Sequence, residues 1–376
     1  MEAARRTSSA ELFWDLVFVF AVTEVTTLLR SDLTWPGFGR AMLILALVWW
    51  AWSAFVWVIN AQDPDSNAVR AVLLVSTGLI LVAGLAVPHA FGRDGTTFAV
   101  AYVCVRLAHL GLYVDASRRG NASPGAIAGF GVPVLIGMAL LLAGSFFDGG
   151  TRVALWVAAA AIDYAGPLLT RRRLRGLQEL AVEHFAERYG LFIMICLGES
   201  IVAVGFGAER RRLDGQLIAG VALMLAITAE LWWMYFSRFA ALAQERLAAL
   251  SEPVLAASDG YAYLHLLIVA GIIVFAVGAR EAVAAIGAPL GEAARLSLCA
   301  GVALYLLGVV AFGARVLGAI GWAKLVAAAG CLALFALAGG AAAWVDAAAL
   351  VALLAGLLAW EHSRGVGERP ASVLAA

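Results

Sequence analysis

The sequence predicts an all-α integral membrane protein of about 12 transmembrane helices, arranged as two parallel six-helix halves. Three observations lead there. Of 376 residues, 63% are apolar and 14% charged, against about 45–50% and about 25% in a soluble domain. The mean hydropathy is +0.91. The apolar residues also gather into runs of the length a bilayer requires, about 20 residues as a helix. In water such a chain would expose more apolar surface than it could cover. A disordered chain and an ordinary soluble enzyme are therefore excluded, and so, at a formal net charge of zero, is a nucleic-acid binder.

The runs fall in order along the chain. The first, 12–29, follows Arg5 and Arg6, but Asp15 and Glu24 interrupt it and no small-residue cleavage site follows, so it is expected to stay as a helix. Runs at 40–60 (with Trp49, Trp50 and Trp52), 70–90, 97–114 (with Arg106 and His109), 126–146 and 153–169 (with Asp163) complete a first membrane half over 1–170. Gly125-Ala126-Ile127-Ala128-Gly129 forms a small-residue face that suits packing within the chain or, alternatively, against a second copy. The stretch 171–187 places Arg175, Glu179, Glu183 and Glu187 at successive i+4 steps, which predicts a cytoplasmic interfacial linker helix. A second half over 188–361 holds runs at 186–206, 216–236, 261–278, 296–313, 322–339 and 342–360, the last two separated by Gly339-Gly340. Residues 362–376 read as a disordered cytoplasmic tail.

Of 26 basic residues, Lys324 is the one lysine. With twelve spans, fifteen of the basic residues fall on the side of the termini and nine on the other. Cytoplasmic loops carry the excess of Arg and Lys, so both termini are expected in the cytoplasm of a bacterial inner-membrane protein. Arg106 and Arg188 are left inside the membrane or at its edge. The four cysteines are scattered singly through apolar segments, without zinc or redox spacing.

The halves share an ordered set of local likenesses. Trp49-Trp50 in span two matches Trp232-Trp233 in span eight. Val82-Ala83-Gly84 in span three matches Val269-Ala270-Gly271 in span nine. The acids Glu11 and Glu24 of span one have counterparts in Glu187 and Glu199 of span seven. A shift of six spans keeps orientation, so the halves would be related by an axis along the membrane normal.

Two segments carry a family resemblance. Glu11-Leu12-Phe13-Trp14-Asp15-Leu16-Val17-Phe18-Val19-Phe20-Ala21 resembles the N-terminal signature of the low temperature requirement A (LtrA) family. So does His184-Phe185-Ala186-Glu187-Arg188-Tyr189-Gly190-Leu191-Phe192, followed by Leu197-Gly198-Glu199-Ser200-Ile201. Asp163-Tyr164 and Trp232-Trp233-Met234-Tyr235-Phe236 also fit, so the likeness covers nearly the whole chain. It implies a bacterial multi-pass membrane protein; the family name records a cold-growth phenotype rather than a chemistry. The segment from Phe13 to Thr23 is also similar to the first helix of the Phe-Ser-Asp-motif potassium channels, which are built of six-helix units. Trp14 replaces the motif serine and span seven lacks any Phe-x-Asp, so potassium conduction does not follow.

An ionisable side chain at the centre of a span costs at least about 2.5–3.5 kcal/mol, so it faces a partner or a water-filled path. The substrate- or ion-binding candidates are Asp15, Glu24, Arg106, His109, Asp163, His184, Glu187, Arg188, Glu199 and Glu230, with Trp50 and Trp233 as aromatic walls. Span seven is the richest. His184 and Arg188 lie one turn apart, and Glu199 shares their face about 16 Å further along. Gly198, Gly205 and Gly207 permit close helix approach or a local break. Glu199, mid-span, is the leading candidate. In span one Glu11 and Asp15 share a face, while Glu24 points away. Arg106 needs a carboxylate, and Asp15, Asp163, Glu199 and Glu230 are its candidates.

No catalytic residue, metal site or cofactor is predicted: there is no P-loop, nucleophile elbow or dinucleotide fingerprint, and the histidines are dispersed. The expected function is a transporter or ion-conducting protein acting on a small solute or ion in the lipid bilayer, with a homo-oligomer left open. The alternatives are a membrane-embedded lipid-acting enzyme and a structural or sensory membrane protein.

Overall fold

The computed structural model describes residues 7–63, 66–209, 211–337 and 339–364. The tail expected at 362–376 lies outside them beyond Arg364. Among the described residues the chain is helical and no strand forms; one isolated bridge joins Pro289 and Ala342. It divides into two compact units, Met1–Arg188 with Ser251–Leu255, and Tyr189–Leu250 with Ala256–Ala376.

The first unit contains α1 (Ser9–Ser31), α2 (Trp35–Asn60), α3 (Asn67–Ala86), α4 (Gly95–Arg118), α5 (Pro124–Gly144), α6 (Gly149–Leu169), the single turn α7 (Arg171–Leu174) and the start of α8 (Val182–Ala208). Side chains that accept the otherwise orphaned first N–H groups set where α1, α2 and α5 begin. Ser8 and Glu11 form a reciprocal capping box on α1: the Ser8 N–H donates to Glu11 Oε2 at 2.7 Å, and the Glu11 N–H to Ser8 Oγ at 3.3 Å. Thr34 caps α2 and Ser123 caps α5, each with proline in the first turn. Arg152, in α6, is buried and donates to the carbonyls of Ala90, Gly92, Ser145 and Phe147. A residue that reads as a loop cation is thus a clamp on two turns.

The second unit contains the rest of α8, then α9 (Gly215–Phe236), α10 (Phe239–Ala249), α12 (His265–Ala284), α13 (Glu292–Val316), α14 (Trp322–Leu337) and α15 (Ala343–Ser363). The five-residue α11 (Pro253–Ala257) leads through a π-helical turn, Ser258–Leu264, into α12. Helices α12 and α13 touch backbone to backbone: a Cβ added at Gly278 would strike Leu298 N, and one at Gly301 would strike Phe275 N. Only glycine permits that approach.

Among the described residues eleven helices are long and apolar enough to cross a membrane. The expectation of about twelve spans exceeds this count by α14, which has 16 residues. At 1.5 Å per residue it reaches about 24 Å, short of the roughly 30 Å hydrocarbon core. Gly340, with φ +87°, makes the turn between α14 and α15, a left-handed conformation that favours glycine.

The stretch 171–187 is not one helix. It holds α7, an irregular segment through Ala181, and the first turns of α8. Tertiary hydrogen bonds draw its backbone away from the helical pattern. Asn60 Oδ1 accepts from the Ala181 N–H at 3.1 Å, and the Ser123 N–H donates to the Leu177 carbonyl at 2.8 Å. Gln178 Nε2 donates to the Trp57 carbonyl at 2.9 Å. The i+4 charge pattern supplies only a few tenths of a kcal/mol per pair, less than these bonds.

Candidate functional site

In the first unit, α1 and the first turns of α8 meet through charge. Glu11 and Asp15 project from successive turns of α1, and His184 and Arg188 from successive turns of α8. All four are buried, none more than 2% exposed. Arg188 clasps Asp15 along one edge, Nε donating to Oδ2 at 3.0 Å and Nη2 to Oδ1 at 2.6 Å. Its remaining nitrogen, Nη1, donates to Glu11 Oε1 at 3.0 Å. His184 Nε2 lies 3.0 Å from the same Glu11 oxygen, at an angle off the ideal hydrogen-bond line. Trp52 Nε1, from α2, donates to Asp15 Oδ1 at 2.8 Å. Two carboxylates thus face one guanidinium, and a proton on His184 would bring the cluster to neutrality. Bidentate Arg–carboxylate geometry of this kind is strong and directional.

The cluster borders a cleft through His184. This cleft, of about 1360 Å³ in the same unit, is lined by Asn60, Gln62, Asp63, Asn121, Glu183 and His184, among others. The irregular segment before α8 forms one wall of it. His184 is therefore the member that joins the buried charges to a polar cleft.

A second buried pair sits in the same unit. Arg106 Nη2 donates to both oxygens of Asp163 at 2.9 Å, linking α4 to α6. Of the four carboxylates open to Arg106, the structure selects Asp163. Arg106 Nε and Nη1, the Tyr102 hydroxyl and His109 Nδ1 are buried with no hydrogen-bond partner among the described residues. Tyr102, Arg106 and His109 follow i, i+4, i+7 on α4, one face of the helix.

The other expected residues are placed as follows. Glu24 is half-buried on α1. Glu187 is exposed and accepts from Thr7 Oγ1 at 2.9 Å. Trp50 is buried, stacks on Tyr164 with ring centroids 3.9 Å apart, and hydrogen-bonds Asp163 through its side chain; Trp233, in the second unit, is exposed. Glu199 is buried in the second unit, next to Ser200, whose hydroxyl lies 3.4 Å from that of Thr228. Helix α8 runs unbroken past Gly198, Gly205 and Gly207, and Gly207 alone of these packs closely, against the Arg280 backbone. Glu230 is half-buried, its Oε2 without a partner among the described residues. Gly129 packs against Thr170 within the first unit.

Sequence reading left two participants out of its site, Glu11 and Trp52, and passed over the buried Asp346 of the second unit. Glu11 was visible as the i−4 neighbour of Asp15, and its match to the equally spaced His184 and Arg188 was the available signal. Asp346, in the first turn of α15, is fully buried, and neither of its carboxylate oxygens has a hydrogen-bond partner among the described residues, although Arg295 is near enough to act on its charge. No group of three or more His, Cys, Asp or Glu that could hold a metal occurs among the described residues.

Apolar helices of membrane length with ion pairs buried between them define an α-helical multi-pass membrane protein. The chain belongs to the bacterial low temperature requirement A (LtrA) family, whose sequence profile matches residues 6–359. Over 284 residues it is 31% identical to the protein described as "Uncharacterized protein RA0937" of Rhizobium meliloti (strain 1021), covering 73% of this chain and 68% of that one. No solved structure matches the chain.

Proposed function

We propose that the chain is a transporter or ion-conducting protein of the bacterial inner membrane, coupled to protons through Glu11, Asp15, His184 and Arg188. One observation carries the reading: two buried carboxylates share a single arginine, and the further basic side chain beside them among the described residues, His184, lines a polar cleft. An uncompensated charge among apolar helices is costly. A proton held within the cluster would remove that cost, and its loss to the cleft would restore it. The cluster thus has two charge states and a route to water, which is what a coupling site needs. The excess of Arg and Lys on the side of the termini supports a cytoplasmic opening for the cleft, with both termini in the cytoplasm.

Arg106–Asp163 is a second buried charge pair of the first unit, and Glu199 is a buried carboxylate of the second; in this reading each is a further candidate for carrying charge. The solute remains a small molecule or ion.

The test uses purified full chain in liposomes, with proton flux read by an internal pH dye under an imposed pH gradient. Wild type, His184→Gln, Glu11→Gln and Glu199→Gln are compared, with melting temperature measured on the same samples. Flux above empty liposomes is expected for wild type, and loss of it in His184→Gln and Glu11→Gln at near-normal melting temperature. Variants that conduct like wild type would remove the coupling role. Variants whose defect tracks a collapse in melting temperature would make the cluster a structural staple between helices.

A further inference from the structure

In the second unit a groove of about 770 Å³ opens where the C-terminal ends of α9, α13 and α15 meet the start of α14. Its walls are mainly apolar, with Leu242, Val309, Val310, Leu317, Ile320 and Leu358 among the lining residues. Its polar groups include Arg238, Lys324 and Arg364 against one carboxylate, Glu361, which pairs with Lys324. Among the lining residues basic side chains therefore outnumber acidic ones. The Arg364 guanidinium lies 5.8 Å from the centre of the Trp360 ring. Trp232 and Trp233 line the groove, and Trp322 and Trp360 stand at the same helix ends; all four are exposed.

These features belong together physically. Exposed tryptophans at the ends of apolar helices mark the depth of the lipid headgroups. A basic rim at that depth attracts anionic phosphate, and an apolar groove beside it offers an acyl chain a surface it would leave bare on an uncharged solute. Arginine and lysine over phosphate, with tryptophan beside them, discriminate by charge rather than by headgroup shape.

We infer that this groove is a binding site for an anionic phospholipid, its phosphate held by Arg238, Lys324 and Arg364 and one acyl chain lying between α9 and α13. The site is independent of the coupling cluster, being built entirely from the second unit.

The experiment takes the full chain, delipidated in detergent, and follows its melting temperature on addition of phosphatidylglycerol, phosphatidylcholine or glycerol phosphate. Phosphatidylglycerol is expected to raise the melting temperature by several degrees more than phosphatidylcholine, and glycerol phosphate to have no effect. Arg238→Gln/Arg364→Gln leaves the Lys324–Glu361 pair in place and is expected to abolish the difference between the two lipids. Equal stabilisation by both lipids, or a difference that survives in the double variant, would overturn the proposal. Stabilisation by glycerol phosphate equal to that by lipid would also overturn it, leaving only an anion site. Should the double variant not fold, native mass spectrometry of wild type with equimolar lipids decides: preferential retention of one phosphatidylglycerol per chain supports the site, and a statistical mixture refutes it.

Discussion

Three conservative substitutions in the α1–α8 cluster should differ sharply in stability, in an order set by charge balance rather than by the number of bonds lost. Arg188→Gln removes three charge-assisted hydrogen bonds, at 3.0, 2.6 and 3.0 Å, and strands two buried carboxylates. Breaking a buried pair by removing one partner costs about 3–5 kcal/mol, and with two acids stranded the upper end applies. Asp15→Asn removes the bidentate clasp, yet its amide oxygen still accepts from Trp52 and Glu11 still neutralises Arg188, so about 2 kcal/mol is expected. Glu11→Gln should be the mildest. Glutamine serves in the capping box as glutamate does, and the loss of one charge-assisted bond is offset by removing the surplus negative charge, leaving a change within about 1 kcal/mol. The assay is reversible unfolding of the purified variants in mixed micelles at neutral pH, read by tryptophan fluorescence. A Glu11→Gln loss as large as that of Arg188→Gln would refute the charge-balance argument. So would an Arg188→Gln cost below about 1 kcal/mol.

The Arg106–Asp163 pair gives a double-mutant cycle: Asp163→Asn alone should cost about 3–5 kcal/mol by stranding a guanidinium with no other hydrogen-bond partner. Arg106→Met/Asp163→Asn should recover most of that, and strict additivity of the two single changes in the same unfolding assay counts against the pair. Gly301→Ala should cost about 1–3 kcal/mol because its methyl meets the Phe275 backbone. Gly356→Ala, with open space around it, should be neutral or stabilise by up to about 1 kcal/mol; similar melting temperatures for the two variants would contradict the close α12–α13 approach. A reporter active only outside the cytoplasm, fused after Arg369, should stay silent. Strong external activity would mean that the 16-residue α14 does not cross and that the number of spans is odd.

What could be read from the sequence alone was whatever depends on near neighbours along the chain. The membrane class and the position of nearly every span follow from runs of apolar residues. The turn at Gly339-Gly340 follows from the conformations those residues favour. The same reasoning marked Asp15, Arg106, Asp163, Arg188 and Glu199 as ionisable groups in apolar surroundings, and each is buried. Partner choice was not legible. Asp15 and Arg188 are separated by 173 residues and Arg106 and Asp163 by 57, and helical periodicity fixes which face a residue occupies, not which helix that face meets. Hence four carboxylates stood open for Arg106 until packing selected one. For the same reason the charge pattern of 171–187 suggested a helix that bonds from Asn60, Ser123 and Gln178 draw apart. Glu11, legible as the one-turn neighbour of Asp15 on the same face of span one, became a member of the charge cluster only through tertiary structure, because α8 brings His184 and Arg188 against it at matching one-turn spacing. Local sequence sets which groups must be buried and where helices begin; the packing of distant helices decides which charges meet, because the cost of a buried charge is relieved only by a partner that the fold delivers.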